Sequence, residues 1–302
     1  MFNIDKPIFN DDFFKIHICN KDNQPKKGYE EIFTYFNQIN KQLKKYEKYA
    51  PNFEQIEPLS NQFTDLIKSG INEKLSNLYS PSLNICKNIK LKNIRNTKDK
   101  DDYQCPYCGI ERLEVRDLDH FMPREKWPEF SILPTNLVYV CSLCNQRPQK
   151  GTNFLDEKTN KRLFLHPYYD LELSSQKLLT CNIFVKKIYL NIKFEVNPSI
   201  KRINPYIFEI ASSHIKYLNL DIRYSRIAKR SLLSKFLNKF QKKDYAHSRI
   251  MKEFSVEEAQ DFINDKIKEL GTNIPINNYE LEFWESFLNC NTFFQNISGK
   301  RI

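Results

Sequence analysis

The sequence predicts an α+β protein in which a short, cysteine-rich segment with β-strands lies between two mainly helical regions. Apolar residues recur at helical spacing over residues 28–50 and again beyond Pro198. Between these stretches, two Cys-x-x-Cys pairs enclose 32 residues that contain several prolines and short β-like runs. Residues 190–196 alternate strictly between apolar and polar side chains, which is typical of a half-buried strand.

These patterns divide the 302 residues into three regions. Residues 1–100 form a helical N-terminal region that ends in a basic connector over residues 87–100. Residues 101–172 contain the cysteine pairs, and residues 173–302 form a β-hairpin followed by a basic helical lobe.

Pro205 suits the first turn of a helix in that C-terminal lobe, and three further helices are predicted after it. The first is a long helix over residues 222–254, and a capping box of Ser255 and Glu258 opens the second, which closes at Gly271. The last helix is predicted over residues 279–294.

Composition narrows the class of partner and of compartment. A formal net charge of +10 favours an anionic partner, nucleic acid before a membrane surface. The chain has six glycines and no glycine-rich phosphate-binding motif, which disfavours a nucleotide site. We expect no transmembrane span and a cytoplasmic location, because no apolar run approaches 18 residues and no leader is evident.

The eight cysteines fall into two groups. Four stand singly, and four form the pairs Cys105/Cys108 and Cys141/Cys144. Clustered thiols in a reducing compartment indicate a metal site, and two such pairs can close a tetrahedral shell around structural Zn²⁺. The alternative is that these are four unrelated core cysteines.

Polar residues of catalytic type lie between and just after the cysteine pairs. Asp119 and His120 come at the end of a predicted strand over residues 113–118, Asn136 precedes a second strand, and Asn145 follows Cys144. This order and spacing resemble the HNH endonuclease family, the zinc-stapled branch of the ββα-metal nucleases. The resemblance covers roughly residues 101–170. The chain departs from the family in having Asn145 rather than His at the third signature position, and in the later placement of Lys150-Gly151.

The resemblance implies a role for each of these residues. His120 would be the general base that activates water. Asp119 and Asn145 would bind a catalytic Mg²⁺ or Mn²⁺ through hard oxygen atoms, and Asn136 would orient His120. The alternatives are a solvated turn for Asp119-His120, a helix cap for Asn145 and an ordinary turn residue for Asn136.

Further basic and imidazole side chains are candidates for contact with phosphate. Arg147 and Lys150 are expected to meet the nucleic-acid backbone. His166 has an accessory role near phosphate or the metal site, or else belongs to a packed turn. The window 222–252 carries ten basic residues against one acidic residue, and four of them are the nucleic-acid-binding candidates Arg226, Lys229, Arg230 and Lys235. That helix could instead present a solvated face or dock a protein partner.

The predicted function is therefore metal-dependent hydrolysis of phosphodiester bonds, with DNA favoured as substrate and RNA as the alternative. The chain also resembles, more loosely, the nuclease partner of Septu-type or retron-linked ATPase pairs in prokaryotic anti-phage defence. On that view an ATPase subunit would be a partner. Two other functions are kept open: a non-catalytic zinc module that binds nucleic acid or protein, and a stand-alone restriction or homing nuclease.

Overall fold

The computed structural model divides the chain into two compact units, residues 3–171 and residues 172–302. The structure describes residues 6–7, 12–63, 70–79, 104–110, 116–170, 176–186, 189–244, 249–252, 255–271 and 277–298. The first unit contains the predicted zinc-stapled segment together with the helices that precede it. The predicted basic connector over residues 87–100 lies outside the described residues.

Five helices of the first unit lie in the described residues before the cysteine-rich segment. They are Phe13–Ile18 (α1), Glu30–Thr34 (α2), Phe36–Tyr49 (α3), Leu59–Gln62 (α4) and Ile71–Asn77 (α5). The prediction of one continuous helix over residues 28–50 was wrong. A turn at Tyr35 interrupts the helix, because its backbone N–H donates to the carbonyls of Ile32 and Phe33. Helix α3 then begins at Phe36.

A strand–loop–strand–helix segment follows. Strand β1, Arg116–His120, pairs antiparallel with β2, Leu137–Cys141, so that Asp119 lies opposite Val138 and His120 opposite Leu137. The short helix α6, Ser142–Asn145, begins directly after β2. All five residues of β2 are buried, which fixes the segment against the core. The predicted strand therefore extends two residues beyond Leu118, and residues 111–115 lie outside the described part.

An aromatic cluster joins α3 to the loop between β1 and β2. Phe53 stacks on His166 with ring centroids 4.9 Å apart, and Tyr46 meets Phe130 edge-to-face at 5.1 Å. Phe121, the first loop residue, lies 4.1 Å from His166. Each buried aromatic side chain contributes about 1.5–3 kcal/mol relative to exposure. The N-terminal helices and the cysteine-rich segment consequently share one core.

The second unit begins with the predicted hairpin, which the structure confirms. Strands β3, Leu179–Lys186, and β4, Tyr189–Val196, pair antiparallel in register from Leu179 opposite Val196. The helical elements that follow are Ile200–Ile203 (α7), Pro205–Tyr217 (α8), Leu220–Ile227 (α9), a π-helical turn Ala228–Leu232, and Leu233–Lys239 (α10). Tyr224 of α9 is buried against Phe194 of β4 at 5.4 Å.

Two predicted helix ends in this unit were wrong. The long helix stops at Lys239, and the chain continues as a hairpin of β5, Gln241–Asp244, with β6, Arg249–Lys252. The apolar stripe at helical spacing ends at Phe240, and the four residues that follow are polar, so the next turn of a continued helix would have no apolar side chain to bury.

The remaining helices of the second unit are Val256–Gly271 (α11), Tyr279–Leu288 (α12) and Asn291–Ser298 (α13). Helix α11 has the predicted capping box, since Ser255 and Glu258 exchange hydrogen bonds of 2.9 and 3.1 Å. The predicted last helix is interrupted at Cys290, whose N–H bonds to Phe287 in a tighter turn. No helix in the described part of the chain is both long enough and apolar enough to cross a membrane.

Candidate metal centre and active-site cleft

The two cysteine pairs come together at one end of the β1–β2 hairpin. All four thiols are buried, and their sulfur atoms lie within 4.8 Å of one another. Gly109 follows the first pair with a φ of +63°, and its N–H closes a turn on the Cys105 carbonyl at 2.6 Å. The first pair occupies this turn, and the second pair joins the end of β2 to α6.

The arrangement of the four thiols fits a zinc site better than it fits four unrelated cysteines of the hydrophobic core. A tetrahedral shell of Zn–S bonds of about 2.3 Å places sulfur atoms a little under 4 Å apart, and the Cys108 and Cys141 sulfurs are 3.9 Å apart. The backbone N–H of Cys141 also points at the Cys105 sulfur at 3.4 Å. Burial raises the pKa of the Cys105 thiol, so a cation is needed to hold thiolates there. The four cysteines could therefore hold a metal ion, and a shell of four thiolates leaves no open position, which is typical of structural zinc sites.

A cleft of about 250 Å³ opens beside β1 in the same unit. The chain segments that line it are the end of α5, the end of β1, the loop after β1, and the turn after α6. The lining residues are Tyr79, Leu118, Asp119, His120, Pro123, Arg124, Glu125, Asn145, Gly151 and Thr152. Three sequence-predicted residues, Asp119, His120 and Asn145, are therefore brought to one cavity.

His120 is the last residue of β1 and is held by a backbone carbonyl. Its Nε2 lies 2.8 Å from the oxygen of Ser131, whose hydroxyl in turn donates to the Leu75 carbonyl at 2.6 Å. Because a carbonyl can only accept, Nε2 carries the proton and Nδ1 is the basic nitrogen. Burial lowers the pKa of His120 to about 3, the hydrogen bond to Ser131 opposes this shift, and the charges of Arg124 and Lys150 add to it. The imidazole is therefore neutral at neutral pH.

Asp119 is buried and is held by two donors. The Lys150 ammonium lies 3.1 Å from Oδ1 and 2.9 Å from Oδ2, and the Tyr107 hydroxyl donates to Oδ2 at 2.8 Å. Burial raises the pKa of Asp119, and the Lys150 charge opposes that rise. A carboxylate accepts about four hydrogen bonds and these donors make three contacts, so about one lone pair is left for a cation in the cleft. Lys150 was expected at the phosphate, but the structure buries it completely beneath Asp119.

Asn145 ends α6 and is oriented by a residue that the sequence analysis missed. Its Nδ2 donates to Oδ2 of Asp117 at 3.3 Å. This leaves Oδ1 of Asn145 as a hard oxygen donor at the cleft. Asp117 lies two residues before Asp119 in β1, so strand alternation puts both carboxylates on one face, a signal that could have identified it.

Asn136 fixes the loop rather than contacting His120 directly. Its Oδ1 accepts from the Met122 N–H at 2.8 Å and from the Tyr46 hydroxyl at 3.1 Å, while Nδ2 donates to the carbonyls of Met122 and Phe130, both at 3.1 Å. All four hydrogen-bonding positions of this buried amide are filled. Asn136 therefore sets the path of the loop that presents Ser131 to His120.

His166 belongs to the core and not to the cleft. Its side chain is fully buried, Nδ1 accepts from the Tyr168 N–H at 3.1 Å, and Nε2 meets the Tyr46 hydroxyl at 3.1 Å. Burial lowers the pKa of His166 well below that of an exposed histidine. Of the two roles kept open from the sequence, the structure shows the packed turn. Asp170 completes this turn, because its Oδ2 accepts from the backbone N–H of His166 at 2.6 Å.

Arg147 does not line the cleft but contacts Thr152, which does. It is exposed, and its Nη2 donates to Oγ1 of Thr152 at 2.9 Å. Gly151 has a φ of +46°, and a Cβ at this position would lie 2.7 Å from Cγ of Arg147. Only glycine therefore allows Arg147 to fold back over this turn.

The sequence analysis also missed Tyr79 and Arg124, which form one wall of the cleft. The Tyr79 ring meets His120 edge-to-face with centroids 4.4 Å apart. Arg124 donates from Nη1 to the carbonyls of Tyr79 at 3.1 Å and Ser76 at 3.5 Å. Tyr79 follows α5, so the helical N-terminal region supplies part of the cleft.

The second unit contains a separate groove of about 440 Å³ against strand β4 and helix α9. Three of the predicted nucleic-acid-binding residues, Arg226, Lys229 and Arg230, line it together with Lys193. Among the described residues these three form no ion pair, whereas Lys193 pairs with Glu195. Lys235 is exposed but does not line the groove.

Comparison with known proteins gives one partial match. A stretch of 70 residues is 37% identical to protein ea31 of Escherichia phage lambda, and it amounts to 23% of this chain and 22% of that protein. The chain thus spans about a fifth of the length of this relative, whose name states no activity. No family model and no solved structure matches the chain.

Proposed function

We propose that this chain is a metal-dependent endonuclease of the HNH type that hydrolyses phosphodiester bonds in DNA, with RNA as the alternative substrate. The observation that carries the proposal is the convergence of His120, Asp119 and Asn145 on one cleft, with Nε2 of His120 fixed by the Ser131 carbonyl. A merely packed histidine would not need a neighbouring carboxylate and amide oxygen at the same cavity.

Each side chain has a defined task in this proposal. Nδ1 of His120 accepts the proton of the attacking water, because Nε2 is already committed to Ser131. Asp119 and Oδ1 of Asn145 hold Mg²⁺ or Mn²⁺, since carboxylate and amide oxygens suit these hard cations. A cation held there would stabilise the negative charge that develops on the departing oxygen.

The zinc site and the basic groove support the same proposal. Zinc at the four cysteines ties β2 and α6 to the first cysteine turn and so fixes Asn145, which follows Cys144 directly. The groove lined by Arg226, Lys229 and Arg230 offers positive charge to a nucleic-acid backbone. Contacts with the phosphate backbone read no base sequence, and both DNA and RNA can form them.

The deciding experiment is incubation of the purified chain with supercoiled plasmid and with total RNA, in Mg²⁺, in Mn²⁺ and in chelator. We expect metal-dependent cleavage that falls by about 10²-fold or more in His120→Ala, because a general base contributes that much. Asp119→Ala should lose activity and weaken the response to Mn²⁺. Asp22→Ala removes an exposed carboxylate of the same unit and should cut at the wild-type rate.

The same experiment tests the alternatives. A non-catalytic zinc module would bind nucleic acid without cutting it, and wild-type cleavage in His120→Ala would reject His120 as the base. Cleavage at one sequence alone would favour a restriction or homing nuclease. The proposed role in anti-phage defence rests on the family resemblance, and co-purification with an ATPase encoded by a neighbouring gene tests it.

A further inference from the structure

Arg124 brings a positive charge to the wall of the cleft. It lies four residues after His120, lines the same cavity as Asp119 and Asn145, and is half-buried. Among the described residues it forms no ion pair. The positive charge of this guanidinium is therefore available to an anion in the cleft.

The contacts of Arg124 use only one side of its guanidinium. Both backbone acceptors, the carbonyls of Ser76 and Tyr79, are reached from Nη1. The remaining three N–H groups, on Nη2 and Nε, have no partner in the described part of the chain. These groups form the edge that binds two oxygens of a phosphate at once.

The wall behind Arg124 holds the guanidinium in place. Its Cζ lies 5.5 Å from the centroid of the Tyr79 ring, in cation–π geometry. The same ring packs against His120, and the Tyr79 hydroxyl reaches the Leu118 carbonyl at 3.4 Å. The proposed general base and the guanidinium therefore share one aromatic support.

We propose that Arg124 is a catalytic residue that binds the non-bridging oxygens of the scissile phosphate and stabilises the negative charge that builds up on them during hydrolysis. This inference rests on the proposed nuclease function. Lys150 does not take this role, because its ammonium is buried and occupied by Asp119 and the His120 carbonyl. A fixed donor of this kind is typically worth 10²–10³-fold in rate.

The test compares Arg124→Gln and Arg124→Lys with Lys126→Gln, which removes a nearby exposed charge that lies over Trp127 and outside the cleft. Single-turnover cleavage of a labelled duplex in Mn²⁺ should slow by about 10²-fold in Arg124→Gln. Arg124→Lys should fall in between, because it keeps the charge but loses the two-pronged edge. Lys126→Gln should cut normally.

Two further measurements separate catalysis from a structural role. Mn²⁺ binding to the protein without nucleic acid should be unchanged or tighter in Arg124→Gln, because a repelling cation has been removed. Millimolar guanidinium should partly restore cleavage by Arg124→Ala, because the free cation can occupy the vacated wall. Loss of Mn²⁺ binding together with activity, without rescue by guanidinium, would show that Arg124 only supports the fold.

The outcomes distinguish this inference from the proposed function. If the wild-type protein cleaves nucleic acid and Arg124→Gln cleaves it equally fast, the proposed role of Arg124 is wrong but the proposed nuclease function is not. A wild-type protein that cuts neither DNA nor RNA overturns both.

Discussion

Lys150 lies beneath the cleft with its ammonium within 3.1 Å of both carboxylate oxygens of Asp119. Both side chains are buried, so each charge depends on the other in the absence of a bound cation. The third contact of the ammonium, with the His120 carbonyl at 2.7 Å, ties it to the end of β1. Lys150 thus supports the strand end from which Asp119 and His120 project.

Removal of the Lys150 charge should lower the free energy of unfolding strongly only while Asp119 is ionised. We expect Lys150→Met to lower the free energy of unfolding by about 3–5 kcal/mol, because a buried carboxylate is left unpaired. In an Asp119→Asn background the same change should cost much less. Urea unfolding of the four proteins measures this, and an equal cost in both backgrounds would reject the pairing. Mn²⁺ should restabilise Lys150→Met more than the wild type.

Zinc content is the direct test of the cysteine cluster. Protein purified without added metal should hold about one zinc per chain, and Cys144→Ser should lose it and destabilise the first unit. Cys19→Ser provides the matched control, because Cys19 is buried in the same unit but lies outside the cluster. Zinc that persists after Cys105 and Cys108 are both replaced would disprove the four-thiolate site.

Glu129 should make the stability of the protein depend on pH. Oε1 accepts from the Leu59 N–H at 2.8 Å and from Gln42, while Oε2 is buried and has no hydrogen-bond partner among the described residues. Burial raises the pKa of Glu129 from 4.5 to about 7, against weaker opposition from these hydrogen bonds and from the Lys45 charge. Between pH 4.5 and about 7, the Glu129 carboxyl therefore keeps its proton in the folded chain and has lost it in the unfolded chain.

The stabilisation from this proton is complete below pH 4.5 and is lost as the pH rises through 7. The loss is on the order of 3 kcal/mol, from 1.36 kcal/mol per pKa unit. Glu129→Gln should flatten the dependence of unfolding free energy on pH across this window, whereas the exposed Glu157→Gln should not. Parallel pH curves for wild type and Glu129→Gln would contradict the assignment.

If nucleic acid binds in the basic groove, the salt dependence of its affinity should depend on which basic residues are replaced and not only on how many. Replacement of Arg226 and Arg230 by Gln should lower the slope of log affinity against log salt by about 2 on duplex DNA, because two phosphate contacts are lost. Replacement of Lys235 and Lys239 by Gln removes equal charge from exposed positions outside the groove. Equal slopes for both double variants would place the nucleic acid elsewhere.

Sequence reasoning found the residues whose signal is local. The cysteine pairs, the Asp119-His120 end of β1 and the β3–β4 hairpin follow from spacing and alternation within short windows. Arg124 and Lys150 did not, because their roles depend on contacts across long separations. Arg124 reaches Ser76 over 48 residues, and Lys150 reaches Asp119 over 31. The end of α10 was missed because helical propensity continues where the apolar stripe stops.

The hydrogen bond between Tyr46 and Asn136 has a consequence for any transfer of the cleft to another protein. Tyr46 and Phe53 lie within the first hundred residues, yet they support the loop on which His120 depends. A transfer of residues 101–172 alone into another helical framework would bring the cysteines and the cleft residues without their supports. The smallest piece that keeps these supports together with the cleft is therefore the whole unit of residues 3–171.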